Sequence, residues 1–185
     1  MVKNVTFITG NQHKADYLAK LLGMPLNHHK LDLVEVQSTS LKEVVEHKVR
    51  EAYSHMNGPV LVEDVSLGFA VLHGLPGPFI KFFVEQPDGL ENLCRMLDTF
   101  DNRSARGECV YGYYDGAKLE LIPGGIDGFI ADHPRGENGF GWDRIFCPEG
   151  YSGKTRAELS DEDYEAVYQV IKPLPLLRTF LQSIQ

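Results

Sequence analysis

A chain of 185 residues, 43% of them hydrophobic, can bury one sizeable core and is short for two independent domains. Its formal net charge of -8 argues against a broad basic face for wrapping nucleic acid or lying on an anionic membrane, so any polyanion it handles has to be small. Cys94, Cys109 and Cys147 form no CxxC pair and show no zinc spacing, which points to buried free thiols in place of a disulfide framework or metal cage.

The first residues carry no charged stretch leading into a long apolar core, and no run approaches the roughly 18 apolar residues of a membrane span. A cytoplasmic protein is the expectation. Val2 to Thr9 reads as a buried strand. After the Thr9-Gly10-Asn11 turn, Ala15, Leu18, Leu21 and Leu22 recur at helical spacing until Gly23, predicting a helix over 11–22. Leu31 to Gln37 reads as a second strand. In "STSLKEVVEHKVREAY", Ser40 and Glu43 have the spacing of a capping box, and Val44, Val45, Lys48 and Ala52 continue the helix. Val60 to Val62 predicts a third short strand that ends in two acids, Glu63 and Asp64.

Phe79 to Glu85 and Asp88 to Leu97 read as helices, the second capped by Asp88. From Ala105, "RGECVYGYYDGAKLELIPGGIDGFIAD" mixes strand-like runs with Asp-Gly and Gly-Gly, predicting an antiparallel ribbon into which Tyr111, Tyr113 and Tyr114 pack. A Gly-rich loop, a helix from about Ser160, a break at Pro173 and Pro175 and a final apolar helix follow. The chain shows no internal repeat and no linker.

A turn between a strand and a helix offers backbone N–H groups and the positive end of a dipole, both suited to phosphate. Thr9, Gly10 and Asn11 supply such a cradle and Lys14 a cation, although an ordinary cap with a solvated lysine has the same pattern. Glu63 and Asp64, leaving an apolar strand together, can hold Mg²⁺ through oxygen, and one of them can deprotonate water; a solvated strand end is the plainer alternative. Glu43 adds a third carboxylate or simply closes its capping box. Lys81, among Phe79, Phe82 and Phe83 after the rigid "GLPGP" loop, either snorkels or contacts phosphate. In "GFGWDR", Phe140 or Trp142 stacks on a base or joins the core, and Asp143 accepts hydrogen bonds.

These pieces, in this order and over nearly the whole chain, resemble the inosine triphosphate pyrophosphatase family. "TGNQHK" is similar to its T-G-N-x-x-K opening, "VLVEDVSL" to its strand with Glu-Asp, "GLPGPFIKFF" to its G-x-P-G-x-[YF]-x-K loop, "GFGWDRIF" to its F-G-[WY]-D-x-x-F loop, and "CPEGYSGKTRAEL" to its P-x-G-Y-x-x-T-x-A-E-[ML] run. The resemblance implies an α/β fold with an elongated mixed central sheet flanked by helices, one domain of two lobes with the active-site cleft between them, and a homodimer. It implies hydrolysis of triphosphates such as ITP, dITP and XTP between the α and β phosphates, with Mg²⁺ or, as the alternative, Mn²⁺. Carried over by position, Thr9, Gly10, Asn11, Lys14 and Lys81 bind the triphosphate. Glu43, Glu63 and Asp64 serve the metal, Asp64 also activates water, and Phe140, Gly141, Trp142 and Asp143 line the nucleoside pocket.

The chain also departs from the family pattern. Tyr17 stands where the family has glutamate, Tyr164 and Glu165 where it has Lys-Asn, and Tyr168, Gln169 and Val170 where it has Ser-His-Arg, the triplet that reads the purine's keto edge. Altered base specificity is one consequence. The alternative is a non-catalytic paralogue that binds nucleotide or a protein partner. Lys172 or Arg178, if placed near Lys14 and Lys81, would restore the missing cation.

Overall fold

The computed structural model describes residues 5–184. At the start of the chain, β1 (Thr6–Ile8) pairs in parallel with β2 (Asn27–His29) on one side and with the beginning of β3 (Val60–Phe69) on the other. Parallel neighbours need crossovers, which α1 (Gln12–Leu22) and α2 (Leu41–Met56) supply. The order β2-β1-β3 makes the two crossovers run in opposite directions, so the right-handed rule sends α1 and α2 to opposite faces of these strands. The strand expected from Val2 is three residues long where described; positions 2–4 lie outside the described residues.

The helix boundaries follow their caps. Asn11 accepts the Lys14 N–H at 3.2 Å and starts α1, and Gly23 in the left-handed region ends it. Ser40 caps α2 by accepting the Glu43 N–H, while the Glu43 carboxylate takes the Ser38 hydroxyl at 2.6 Å and Ser38 Oγ takes the Ser40 N–H at 3.0 Å. Ser38 thus completes the capping box. Val45, Val49 and Ala52 are fully buried along α2 and meet Ile8, Leu41, Val60, Val62 and Val110 in one core cluster.

The strand predicted over 31–37 is irregular chain instead. Leu31 and Leu33 pack on the core cluster, while Val34 and the residues after it to Gln37 are exposed. No ladder forms there because the Val34 N–H goes to the Glu51 carboxylate on α2 at 3.1 Å. A second correction concerns β3, which runs on to Phe69, so Glu63 and Asp64 sit inside a strand and not at its end.

The chain forms two compact units. One takes the chain up to Asp64, Val110–Pro123 and everything from Pro173; the other takes Val65–Cys109 and Gly124–Lys172. The remaining elements are β4 (Pro76–Gly77), α3 (Ile80–Val84), α4 (Gly89–Arg95), β5 (Ser104–Tyr114), β6 (Leu119–Ile130), β7 (Phe146–Pro148), α5 (Asp161–Ile171) and α6 (Leu174–Ser183). The seven strands make one mixed sheet in the order β2-β1-β3-β5-β6-β7, with β4 antiparallel beside β3.

β5 and β6 are sheet neighbours joined by a tight turn, in which Asp115 Oδ1 accepts the N–H groups of Ala117 and Lys118; a connection this short makes the pair antiparallel, as expected. Gly124, Gly125 and Gly128 do not turn the chain but lie within β6. Gly128 is there for close approach: a Cβ would meet the Cys147 carbonyl of neighbouring β7 at 2.2 Å. Tyr111 and Tyr113 are fully buried in β5, and Cys94, Cys109 and Cys147 are buried and joined in no disulfide.

Two punctuation marks act differently from their sequence reading. Asp88 precedes α4 in the left-handed region (φ 55°) and makes no side-chain cap bond. Pro175 lies in the first turn of α6, where a missing N–H costs nothing, so the break falls at Pro173 alone. Among the described residues no helix is long and apolar enough to cross a membrane.

Candidate active site

Successive residues of a strand send their side chains to opposite faces, so the adjacent acids of β3 are divided. Glu63, with a side chain only 4% exposed, pairs with the Lys14 ammonium from the first turn of α1. Asp64 turns the other way and meets Lys48 of α2, whose Nζ lies 3.0 Å from its Oδ2 and 2.9 Å from Glu35 Oε1. Two lysines from two helices therefore grip the two acids of one strand. The pairing explains why the strand tolerates charges at its middle: a buried carboxylate persists only with a hydrogen-bonded cation beside it.

Lys48 was not among the sequence candidates, and neither was Glu35. The signal for Lys48 lay in the pattern, since it falls on the apolar stripe of α2 one position before fully buried Val49. Glu35 sits in the irregular chain that was expected to be a strand. Burial pulls the Lys48 pKa down, but the facing carboxylates of Asp64 and Glu35 outweigh it and leave the ammonium above the ordinary lysine value. It is a permanent cation at neutral pH.

Glu43 is occupied elsewhere. It closes the amino end of α2 with Ser38 and Ser40, five residues before Lys48, which is about 7.5 Å along the axis and about 140° around it. At the turn before α1, Thr9 Oγ1 accepts the Asn11 N–H at 3.2 Å, and the stem of Lys30 lies over Gly10, 3.6 Å from where a Cβ would stand. Lys14, Thr9, Gly10, Asn11, Glu43, Glu63 and Asp64 all belong to the first unit.

Lys81 and the 140–143 loop belong to the second unit. Lys81 is exposed on α3, with Glu85 3.9 Å away. Phe140 is 72% exposed between Gly139 and Gly141, which both adopt positive φ, whereas Trp142 is buried edge-on against Phe146 at 5.4 Å. Of the two aromatic candidates, Phe140 is the ring offered to solvent. Asp143 is buried: its Oδ1 accepts Arg156 Nη1 at 2.5 Å, and its Oδ2 accepts the Phe140 N–H at 3.0 Å and the Tyr164 hydroxyl at 2.8 Å. Burial, followed by the Asp143 charge, pushes the Tyr164 phenol well above its ordinary range, so it remains a donor.

Of the two replacement cations, Arg178 is not where the sequence asked for it. Arg178 donates to the Leu21 carbonyl at the far end of α1 from Lys14, and Lys172 is buried with its ammonium 6.0 Å from the Tyr168 ring. Gln169 is engaged with Glu165 at 3.2 Å, and Val170 is exposed.

The chain is 40% identical to an inosine triphosphate pyrophosphatase of Schizosaccharomyces pombe, over 99% of this chain and 97% of that one. It is 42% identical to an inosine triphosphate pyrophosphatase of Yarrowia lipolytica, over 96% and 95%. Among solved structures it resembles a HAM1 protein from Coxiella burnetii with a TM-score of 0.84 and 26% identity, covering 97% of this chain and 98% of that one. The Ham1 protein of Staphylococcus aureus gives 0.81 and 26%, covering 98% and 100%. With residues 5–171 matching the Ham1 family model as well, the chain belongs to the Ham1 family.

Proposed function

We propose that this chain hydrolyses nucleoside triphosphates such as ITP, dITP and XTP to the monophosphate and pyrophosphate, using Mg²⁺ with Mn²⁺ as a substitute. The observation that carries the reading is the pairing of both acids of β3 with lysines, Lys14 with Glu63 and Lys48 with Asp64 and Glu35, in a chain so close to inosine triphosphate pyrophosphatases. Among the described residues no three His, Cys, Asp or Glu side chains form a metal cage. The donor chemistry nevertheless fits Mg²⁺: two carboxylates, Glu35 and Asp64, already share one cation, and this ion binds through one or two carboxylates together with substrate phosphates and water. Glu35 and Asp64 would hold it. Bound there, the ion would polarise a phosphoryl oxygen and acidify a coordinated water.

The chain's own groups do the rest. Lys14, held by Glu63, and Lys48 neutralise phosphate charge, and the first turn of α1 adds its N–H groups and dipole. Asp64 accepts a proton as water oxygen bonds to the α phosphorus and the bond from that phosphorus to the bridging oxygen breaks, releasing pyrophosphate. In the second unit Lys81 contributes a further phosphate contact, while Phe140 stacks on the base and Gly141, Trp142 and Asp143 shape its surroundings. A cytoplasmic homodimer completes the reading, and light scattering tests the dimer.

Pyrophosphate release from ITP, XTP, ATP and CTP, with Mg²⁺, with Mn²⁺ and with chelator, is the decisive measurement. Metal-dependent turnover of ITP and XTP above ATP is expected. Folded protein that turns over none of them rejects the reading. The saturation of Asp143 by Arg156, Tyr164 and the Phe140 N–H favours, as second reading, a paralogue that binds nucleotide without hydrolysis, seen as calorimetric binding with no product.

A further inference from the structure

Arg156 carries a guanidinium that is only partly used. The residue is 5% exposed, its Nη1 is committed to Asp143, and its Nε and Nη2 are buried with no hydrogen-bond partner. Its carbon lies 4.6 Å from the centre of the Tyr164 ring and 5.6 Å from that of Trp142. Stacking of this kind holds the plane of the guanidinium in place. Buried donors without acceptors are rare and costly in folded proteins, and two on one side chain call for an explanation.

The chemistry of the empty pair narrows its ligand. Nε–H and Nη2–H point the same way and form a two-pronged fork that matches two neighbouring acceptors. The Arg156 charge is cancelled by Asp143, and Tyr164 stays neutral, so the cluster has no net charge with which to attract phosphate. A neutral edge with two adjacent acceptors remains. Among nucleobases, O6 and N7 of a 6-keto purine form such an edge; adenine presents an amino donor in place of O6, and cytosine, whose N3 and O2 also lie side by side, is the competitor that CTP tests. Neither donor has a protein partner, so an acceptor reaching them displaces none. Phe140 belongs to the same assembly because its N–H is bonded to Asp143.

We infer that Arg156 determines base specificity by donating its Nε–H and Nη2–H to O6 and N7 of a 6-keto purine triphosphate. This rests on the function proposed above. It supplies from position 156, with Tyr164 and Asp143 as positioning residues, a recognition that the residues at 168–170 do not offer.

The test compares ITP with 7-deaza-ITP, in which C–H replaces the N7 acceptor, on the intact protein. A lost half of a bidentate contact should lower kcat/KM for the analogue about 5- to 50-fold. Arg156→Lys keeps the charge opposite Asp143 but removes the fork, so it should treat ITP and 7-deaza-ITP alike and lose the preference for ITP over ATP, a pattern that mere loosening of the fold would not produce. If that variant fails to fold, the parent comparison decides alone. Equal kcat/KM for the two nucleotides in a parent that turns over ITP overturns the inference and leaves the two donors to water. A parent with no ITP hydrolysis rejects the proposed function instead. Calorimetry with the same two nucleotides then reads the fork directly, and equal binding or none overturns it.

Discussion

The lysine cluster of the first unit and the arginine cluster of the second both join cations to carboxylates, but in different media. The Lys48 and Asp64 side chains are 17% and 22% exposed, against 6% and 3% for Arg156 and Asp143. The first cluster keeps contact with water, so its partners can be exchanged for phosphate oxygens or a metal ion at low cost. The second is dry and locked between aromatic rings. Charge that must trade partners during a reaction belongs at a wet boundary, whereas charge that must hold one orientation belongs in a dry one.

The comparison breaks most visibly at Asp64. Asp64→Asn removes the proton acceptor and one of the two metal-holding carboxylates but little of the lysine cradle, and turnover should fall about 10²- to 10⁴-fold while nucleotide affinity measured in chelator is nearly unchanged. Rapid-quench and calorimetric measurements on one preparation would separate the two; a rate equal to the parent's would strip Asp64 of its role.

Next comes the dry pair. Arg156→Met leaves the Asp143 carboxylate buried without its cation and should cost about 3–5 kcal/mol in urea unfolding, with Asp143→Asn in the same chain recovering part of the loss. If the single and double variants were equally unstable, the pair would not be a unit.

The smallest effect belongs to the wet cluster and is read by pH. Because the folded Lys48 pKa is raised, its stabilisation is present in full below the unfolded lysine value of about 10.4 and disappears as pH rises through the higher folded value. Parent and Lys48→Met should differ by about 1 kcal/mol at neutral pH and converge above that range. A gap that persists at strongly alkaline pH would mean that packing of the lysine stem, not its charge, is responsible.

Much of the first unit was legible because its signals are local. Asn11, Gly23 and Ser40 each fix a boundary through their own backbone or side chain, and the stripe of Val45, Val49 and Ala52 reports the buried face of α2. What escaped depends on partners distant in sequence. The apolar residues at 31–37 looked like a strand, but nothing local announces the Glu51 carboxylate that takes the Val34 N–H. Asp64 and Lys48 are 16 residues apart, and nothing in either neighbourhood announces the other. Arg156 carried no signal, since the family pattern leaves its place open and only its burial beside Asp143 marks it. The divided acids of β3 follow from strand geometry once the strand is seen to continue past them.

Gly139 ties these threads together. Its φ is +78°, and a methyl group there would stand 2.2 Å from Asp143 Oδ2. Any side chain at 139 would press on the very carboxylate that fixes Arg156. The empty space of a missing methyl is thus part of the apparatus: the backbone at 139 sets the room in which the carboxylate that orients Arg156 can stand.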